Sequence, residues 1–224
     1  MYDDLALEHS STVDRAADEI RRALFAGRLT PGTPLREVGL SAAMGVGRST
    51  VREALALLVA EGLAVRVPNR GVAVKQLTAD DVHDVSRARA ALESAGVRRW
   101  DEASESERQR VRDALTRYAA VASESGDPAA LTHAHLRVHQ ALVGLSGSER
   151  LSSTADVLSS EIRLGLAHLD RIRANVAEQV AEHRALVARL EAGDVEGTLR
   201  QLDDHLSAAE RSLLDATGHA TITS

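Results

Sequence analysis

Apolar residues recur at helical spacing almost from the start of the chain. Val13, Ala16, Ala17, Ile20, Ala23 and Leu24 define one face of a helix over residues 12–26, and Gly27 stops it. The stretch GRLTPGTPL gathers Gly27, Pro31, Gly32 and Pro34 into a sharp connection, which leads into a short helix from about residue 36 to 44. GVG closes that helix and opens a third, in which Val51, Ala54, Leu55 and Leu58 fall at i, i+3, i+4 and i+7. The period then changes: LAVRVPNRGVAVKQL is an alternating run, a PNRG turn and a second valine-rich run, which predicts a two-stranded hairpin. Three helices and a hairpin, in that order, predict a winged helix-turn-helix.

From LTADD onward no strand signal returns. Thr78 is placed to cap a helix that carries Asp80 and Asp81 in its first turn. The spacing predicts about six helices, at 79–99, 105–124, 128–145, 149–170, 173–192 and 194–216. Breaks are expected at GDP (126–128), at GLSGS (144–148), near Arg171 and at AGD (192–194). The expected fold class is mainly α, a winged helix-turn-helix with a small β-hairpin wing followed by an all-α antiparallel bundle. The expected domains are a flexible N-terminus (1–11), a winged helix-turn-helix (12–77), a helical domain (78–217) and a flexible tail (218–224).

Composition narrows this picture. Hydrophobic residues make up 44% of the chain but aromatics only 2%, so Leu, Val and Ala must fill the core, which suits packed helices. Cysteine is absent, which excludes disulfides and thiolate metal sites and leaves His, Asp and Glu as candidate ligands. No apolar run approaches a membrane span, and MYDDLALEHSST lacks a basic stretch followed by an apolar core, so a cytoplasmic location is expected. The net charge of −6 argues against a nucleic-acid partner until it is resolved locally. Residues 36–75 hold six basic against three acidic residues, and from Thr78 onward 17 basic face 24 acidic. The charge is divided, with a basic first third and an acidic remainder.

Within the basic third, GVGRSTVREALALLVAEG (45–62) sets Arg48 and Arg52 one helical turn apart at a helix start. A helix in the major groove presents its N-terminal side chains to base edges, and Arg can donate two parallel hydrogen bonds to guanine O6 and N7. Ser49, Thr50 and the first-turn N–H groups suit phosphate oxygens, and Arg36 is placed to reach the DNA backbone. Two arginines alone would read more simply as solvated surface residues; the glycine turn, buried stripe and wing in the right order favour DNA. The stretch LTPGTPLREVGLSAAMGVGRSTVREALALLVAEGLAVRVPNRGVAV resembles the N-terminal domain of GntR-family transcription regulators over residues 13–76. That resemblance implies DNA contacts by Arg36, Arg48, Thr50 and Arg52, with Gly71 at the wing tip entering the minor groove. Gly47 departs from the family, which often caps this helix with Ser or Thr. Asn69 and Arg70 either touch DNA or serve the conformation of the turn.

The acidic remainder carries a second constellation. His135 and His139 are i and i+4 on one predicted helix, while His183 and His205 lie on two later ones, so the four can converge on one ion inside a bundle. Any one of them alone reads more simply as a hydrogen-bonded core residue, and His133 points to another face. The region is similar to the FCD ligand domain of the FadR-like branch of GntR regulators. Its metal-binding members carry Asp and His four residues apart, then EH, then a His 22 residues beyond. His139, His183 and His205 fall on the His positions and His135 on the Asp position, so the resemblance implies a metal site rich in nitrogen, suited to zinc or nickel over manganese. It also implies that Arg89 salt-bridges an acidic effector, whereas an Arg89–Glu93 pair on the helix surface is the alternative. The combined expectation is a homodimeric, ligand-responsive repressor that binds a palindromic operator in double-stranded DNA and a small organic acid. A metal-dependent hydrolase and a DNA binder with a purely structural bundle are the rivals.

Overall fold

The computed structural model describes residues 11–124, 127–166 and 176–216. The expected N-terminal arm (apart from residue 11), the tail after 217, the break near Arg171 and the helix ends at 167–170 and 173–175 lie outside them. The chain divides into two compact units, residues 1–75 and 76–224.

The first unit is built from α1 (Thr12–Phe25), α2 (Glu37–Met44), α3 (Arg48–Ala60), β1 (Ala64–Val67) and β2 (Gly71–Val74). Ser11 caps α1 through a reciprocal box with Asp14, satisfying donors the helix itself leaves open. Ala16, Ala17, Ile20 and Leu24 of α1 are buried, as are Val51, Ala54, Leu55 and Leu58 of α3. Small residues at the contact (Ala16, Ala17 and Ala54) let α1 and α3 pack closely. A bidentate pair, Arg21 Nε and Nη2 to Glu61 at 2.7 and 2.6 Å, ties the same two helices at the far end of α3. The turn to α3 depends on Gly45, which ends α2 at φ +66°, a left-handed value that a side chain would strain. The strands pair antiparallel with Ala64 opposite Val74 and Val67 opposite Gly71. Leu35 N–H donates to the Val72 carbonyl at 2.8 Å, so the segment leading into α2 is anchored on the second strand of the wing.

The second unit contains α4 (Ala79–Val97), α5 (Glu105–Glu124), α6 (Pro128–Gly144), α7 (Glu149–Leu166), α8 (Val176–Glu191) and α9 (Val195–Ala216). Its starts are chemically explicit: Thr78 and Asp81 form a capping box on α4, and Asp127 caps α6 ahead of Pro128. The core joins Val97, Trp100, Val111, Leu142, Leu186, Leu190 and Leu202, with a second cluster around Tyr118, Leu131 and Val138. Gly96 is decisive for the site. A Cβ there would stand 1.9 Å from the Leu142 carbonyl oxygen, so only glycine lets α4 and α6 approach this closely. One turn earlier on each helix stand Glu93 and His139, which the same approach brings together.

Candidate functional site

At the start of α3 the N-cap is Gly47, which has extended backbone and no side chain to bond the first-turn N–H groups. Arg48, Ser49 and Arg52 are exposed and Thr50 is half-buried, while the opposite stripe is wholly in the core. Arg36 is the exposed N-cap of α2, also without a side-chain cap bond. The wing turns through Val67–Pro68–Asn69–Arg70, closed by Arg70 N–H to the Val67 carbonyl at 3.0 Å. Pro68 at the second position and Asn69 at φ +59° are the marks of a type II turn, which accounts for Asn69 on conformational grounds. Arg70 and Gly71 are exposed beside it, and Gly71 has φ +90°.

Arg52 does not stand alone. Its Nε and Nη2 donate to the two oxygens of Glu37 at 2.9 and 2.8 Å. These bonds hold the Glu37 carboxyl below its usual pKa, and the charge of Arg48 adds to the effect. The carboxylate is therefore bound to Arg52 and feels the charge of Arg48 at the helix start.

In the second unit the structure brings His135, His139, His183 and His205 together, with one ligand nitrogen from each lying within 4.8 Å of all the others. The Nε2 atoms of His135, His139 and His183 form a triangle with sides of 3.0 to 3.1 Å. The outward nitrogens explain the orientation. His183 Nδ1 is 2.6 Å from the main-chain carbonyl of Gln179, which only accepts, so Nδ1 carries the proton and Nε2 a lone pair. His139 Nδ1 is 2.7 Å from Glu93 Oε2 and directs its Nε2 inward in the same way. Burial pushes His135 and His139 well below the ordinary histidine value, and His183 and His205 down to about 4, keeping all four in the neutral form that ligates. With Glu93 ionised and accepting from His139 Nδ1, at most one proton, on His135, can enter the triangle. The inward lone pairs of His139 and His183 thus face each other at 3.0 Å with nothing between to join them, and His205 Nε2 is buried without a partner.

A cation resolves this arrangement. Nitrogens held about 2.0–2.1 Å from one zinc ion stand about 2.9 Å apart at a right angle and about 3.4 Å at a tetrahedral one, a range that includes the observed triangle. The donor set fits a metal, and the all-nitrogen chemistry is that of zinc or nickel. Tyr118 stacks on His135 with centroids 5.3 Å apart and directs its hydroxyl to the Gln179 side chain at 3.3 Å, packing the cluster from behind.

Glu93 links the cluster to Arg89. Its Oε1 accepts from Arg89 Nε at 2.5 Å, and the pair is buried, with side-chain exposures of 10% and 1%. The alternative of an ion pair on the helix surface is thereby corrected: the pair forms, but inside the unit. Burial raises the Glu93 pKa, against the opposing pull of the guanidinium. Arg89 Nη2 is buried and has no partner among the described residues. The Arg89 residue borders a cavity of about 590 Å³ whose wall includes Thr132, His135, Glu182 and His205, a size suited to a small ligand. His133 is exposed and stands outside the cluster.

Sequence reasoning passed over Glu37, Gln179 and Tyr118. Gln179 acts through its main chain, which no residue type announces; Tyr118 is one ring on a helix chosen for its apolar face. Glu37 could have been suspected from its place directly after Arg36, at the start of the helix preceding the reading helix.

Residues 12–74 match the family model described as bacterial regulatory proteins, gntR family, and residues 84–208 match the FCD domain. The chain is 30% identical to the probable D-xylose utilization operon transcriptional repressor of Paenarthrobacter nicotinovorans, over 96% of this chain and 92% of that protein. It is 33% identical to the gluconate operon transcriptional repressor of Bacillus licheniformis, over 42% and 38% of the two chains. The crystal structure of a GntR regulator from Rhodococcus sp. RHA1 superposes with a TM-score of 0.79 at 29% identity, covering 92% of this chain and 99% of that one. Among the described residues no helix is long and apolar enough to cross a membrane.

Proposed function

Because the chain belongs to the GntR family of bacterial regulatory proteins and carries its FCD domain, it is a transcription regulator and not an enzyme, and we propose that it is a metal-dependent, ligand-responsive repressor acting as a homodimer in the cytoplasm. Family membership removes the hydrolase reading of the histidines. Arg48 and Arg52 read base edges from α3 in the major groove. Arg36, Ser49 and Thr50 hold phosphates, and the wing at Arg70 and Gly71 lies along the adjacent minor groove. Two-fold symmetry then calls for a palindromic operator, its half-sites about 34 Å or more apart.

The observation that carries the sensing half of this reading is that Arg89, whose Nη2 is partnerless among the described residues, lines a cavity together with His135 and His205. A guanidinium buried with donors to spare suits a carboxylate, so the effector is a small organic acid. His135, His139, His183 and His205 would hold zinc or nickel, which supplies positive charge and any coordination position the four imidazoles leave open. Glu93 grips Arg89 through Nε and leaves Nη2 without a partner among the described residues. Arg89 rides on α4 and His205 on α9, so a ligand that binds both favours one arrangement of these helices; that preference is what changes operator affinity.

Melting of the full-length protein tests the sensing half. Zinc should raise the melting temperature, and one member of a panel of small carboxylates should raise it further in the wild type but not in Arg89→Ala; saturation at 100 times Kd corresponds to about 2.7 kcal/mol. Zinc binding with no carboxylate response would leave a structural bundle, and no response to either would remove the sensor.

A further inference from the structure

Arg52 and Arg48 start the same helix, yet of the two only Arg52 has a side-chain partner among the described residues. Both donors on the Nε–Nη2 edge of Arg52 are taken by Glu37, at 2.9 and 2.8 Å, while its side chain remains 67% exposed. A guanidinium has five N–H donors in a rigid plane, so three remain, two of them on the outward edge formed by Nη1 and Nη2. With the Nε–Nη2 edge taken, that edge still offers two parallel donors for guanine O6 and N7. The fork is pre-aimed by a residue from another helix, Glu37, which stands at the first position of α2, 15 residues earlier in the chain.

We infer that Glu37 is a specificity-determining positioning residue: its carboxylate clamps Arg52 so that one fixed edge of the guanidinium meets a single base, and its charge keeps that arginine off the phosphates. The inference rests on the reading of α3 as the DNA-reading helix. Two physical effects support it. An unheld arginine has many rotamers and would follow the strongest local potential, which on DNA is the phosphate backbone; a held one has already given up that freedom before docking. The carboxylate is also repelled by phosphates, so a register that puts α3 against the backbone leaves a negative charge facing negative charge, which penalises wrong sites more than the right one. Arg48 has no comparable clamp and serves as the internal control.

The test is an unbiased selection of duplexes at moderate salt by the full-length wild type, Arg48→Ala, Arg52→Ala and Glu37→Ala. The two arginine variants assign the base position that each arginine reads. Glu37→Ala should lose preference at the Arg52 position, by about ten-fold or more between the best and other bases, while keeping preference at the Arg48 position. Its binding to unrelated DNA should tighten, and the slope of log K against log salt should steepen by up to about one unit as Arg52 turns to a phosphate. Melting checks folding, which the substitution should leave intact because α2 buries none of its residues. If Glu37→Ala selects the same bases at the Arg52 position with the same salt slope, Glu37 is a surface partner only. If it tightens the operator with unchanged base preference, Glu37 restrains Arg52 instead of aiming it. Either result overturns the proposal while leaving α3 as reader. Only a wild type that enriches no sequence would overturn both.

Discussion

The two units of this chain use nitrogen in opposite ways. In the first, Arg36, Arg48, Arg52 and Arg70 are permanently charged and exposed, set at helix starts and in a turn. In the second, four imidazoles are held neutral by burial and turned so that their lone pairs converge. Exposed cations suit a polyanion with a repeating charge. Buried neutral donors suit one small cation, and the difference explains why an acidic chain can still be a DNA-binding protein: its negative charge is concentrated in the second unit. Arg89 is the exception that joins the two chemistries, a buried guanidinium set beside the imidazoles with a donor left over.

The contrast can be broken first at the cluster. His183→Ala removes one corner of the nitrogen triangle, and metal content of the purified full-length protein, measured by elemental analysis, should fall from about one ion per chain to a trace. Glu93→Gln keeps all four imidazoles but weakens the bond that orients His139, so zinc affinity should fall by about 10- to 100-fold in a competitive chelator titration. Metal content unchanged in His183→Ala would make the four histidines structural. At the other unit, Arg52→Ala should weaken operator binding by about 1–3 kcal/mol and relax one base position, as read by anisotropy on matched and mismatched duplexes. The metal content of that variant should equal wild type, which sharpens the separation of the two units. The smallest effect belongs to Gly47→Ser. A Cβ there has room, with Ser49 Oγ at 3.6 Å the nearest atom, and the hydroxyl can cap α3, so stability should rise by a few tenths of a kcal/mol, ~0.3, in denaturant unfolding.

How much of this was legible beforehand follows from the range of each interaction. Helix starts rest on contacts within three residues, so Thr78 with Asp81 and Asp127 with Pro128 declare α4 and α6 in the linear chain. The wing was legible because strand alternation and a PNRG turn are equally local. The end of α4 shows the limit: the apolar pattern runs on to about residue 99, but the helix stops at Val97, where Arg98, Arg99 and Trp100 turn, with the Arg108 guanidinium donating to the Trp100 carbonyl at 3.0 Å. The histidines showed as spacings on three helices, but the sense of each ring is set by Glu93 and a Gln179 carbonyl, contacts that exist only once the helices are packed. Glu93 is the clearest case. In the chain it is a carboxylate one turn from an arginine, which reads as solvated surface; the close approach at Gly96 is what buries it against His139.

The central claim is that the second unit governs the first. It is tested most directly by the affinity of the zinc-loaded full-length protein for its selected operator, measured by anisotropy with and without a saturating concentration of the carboxylate that raises its melting temperature. The account predicts a shift in Kd of about 5- to 150-fold, absent in Arg89→Ala. An operator affinity that is the same with and without the bound carboxylate would contradict it.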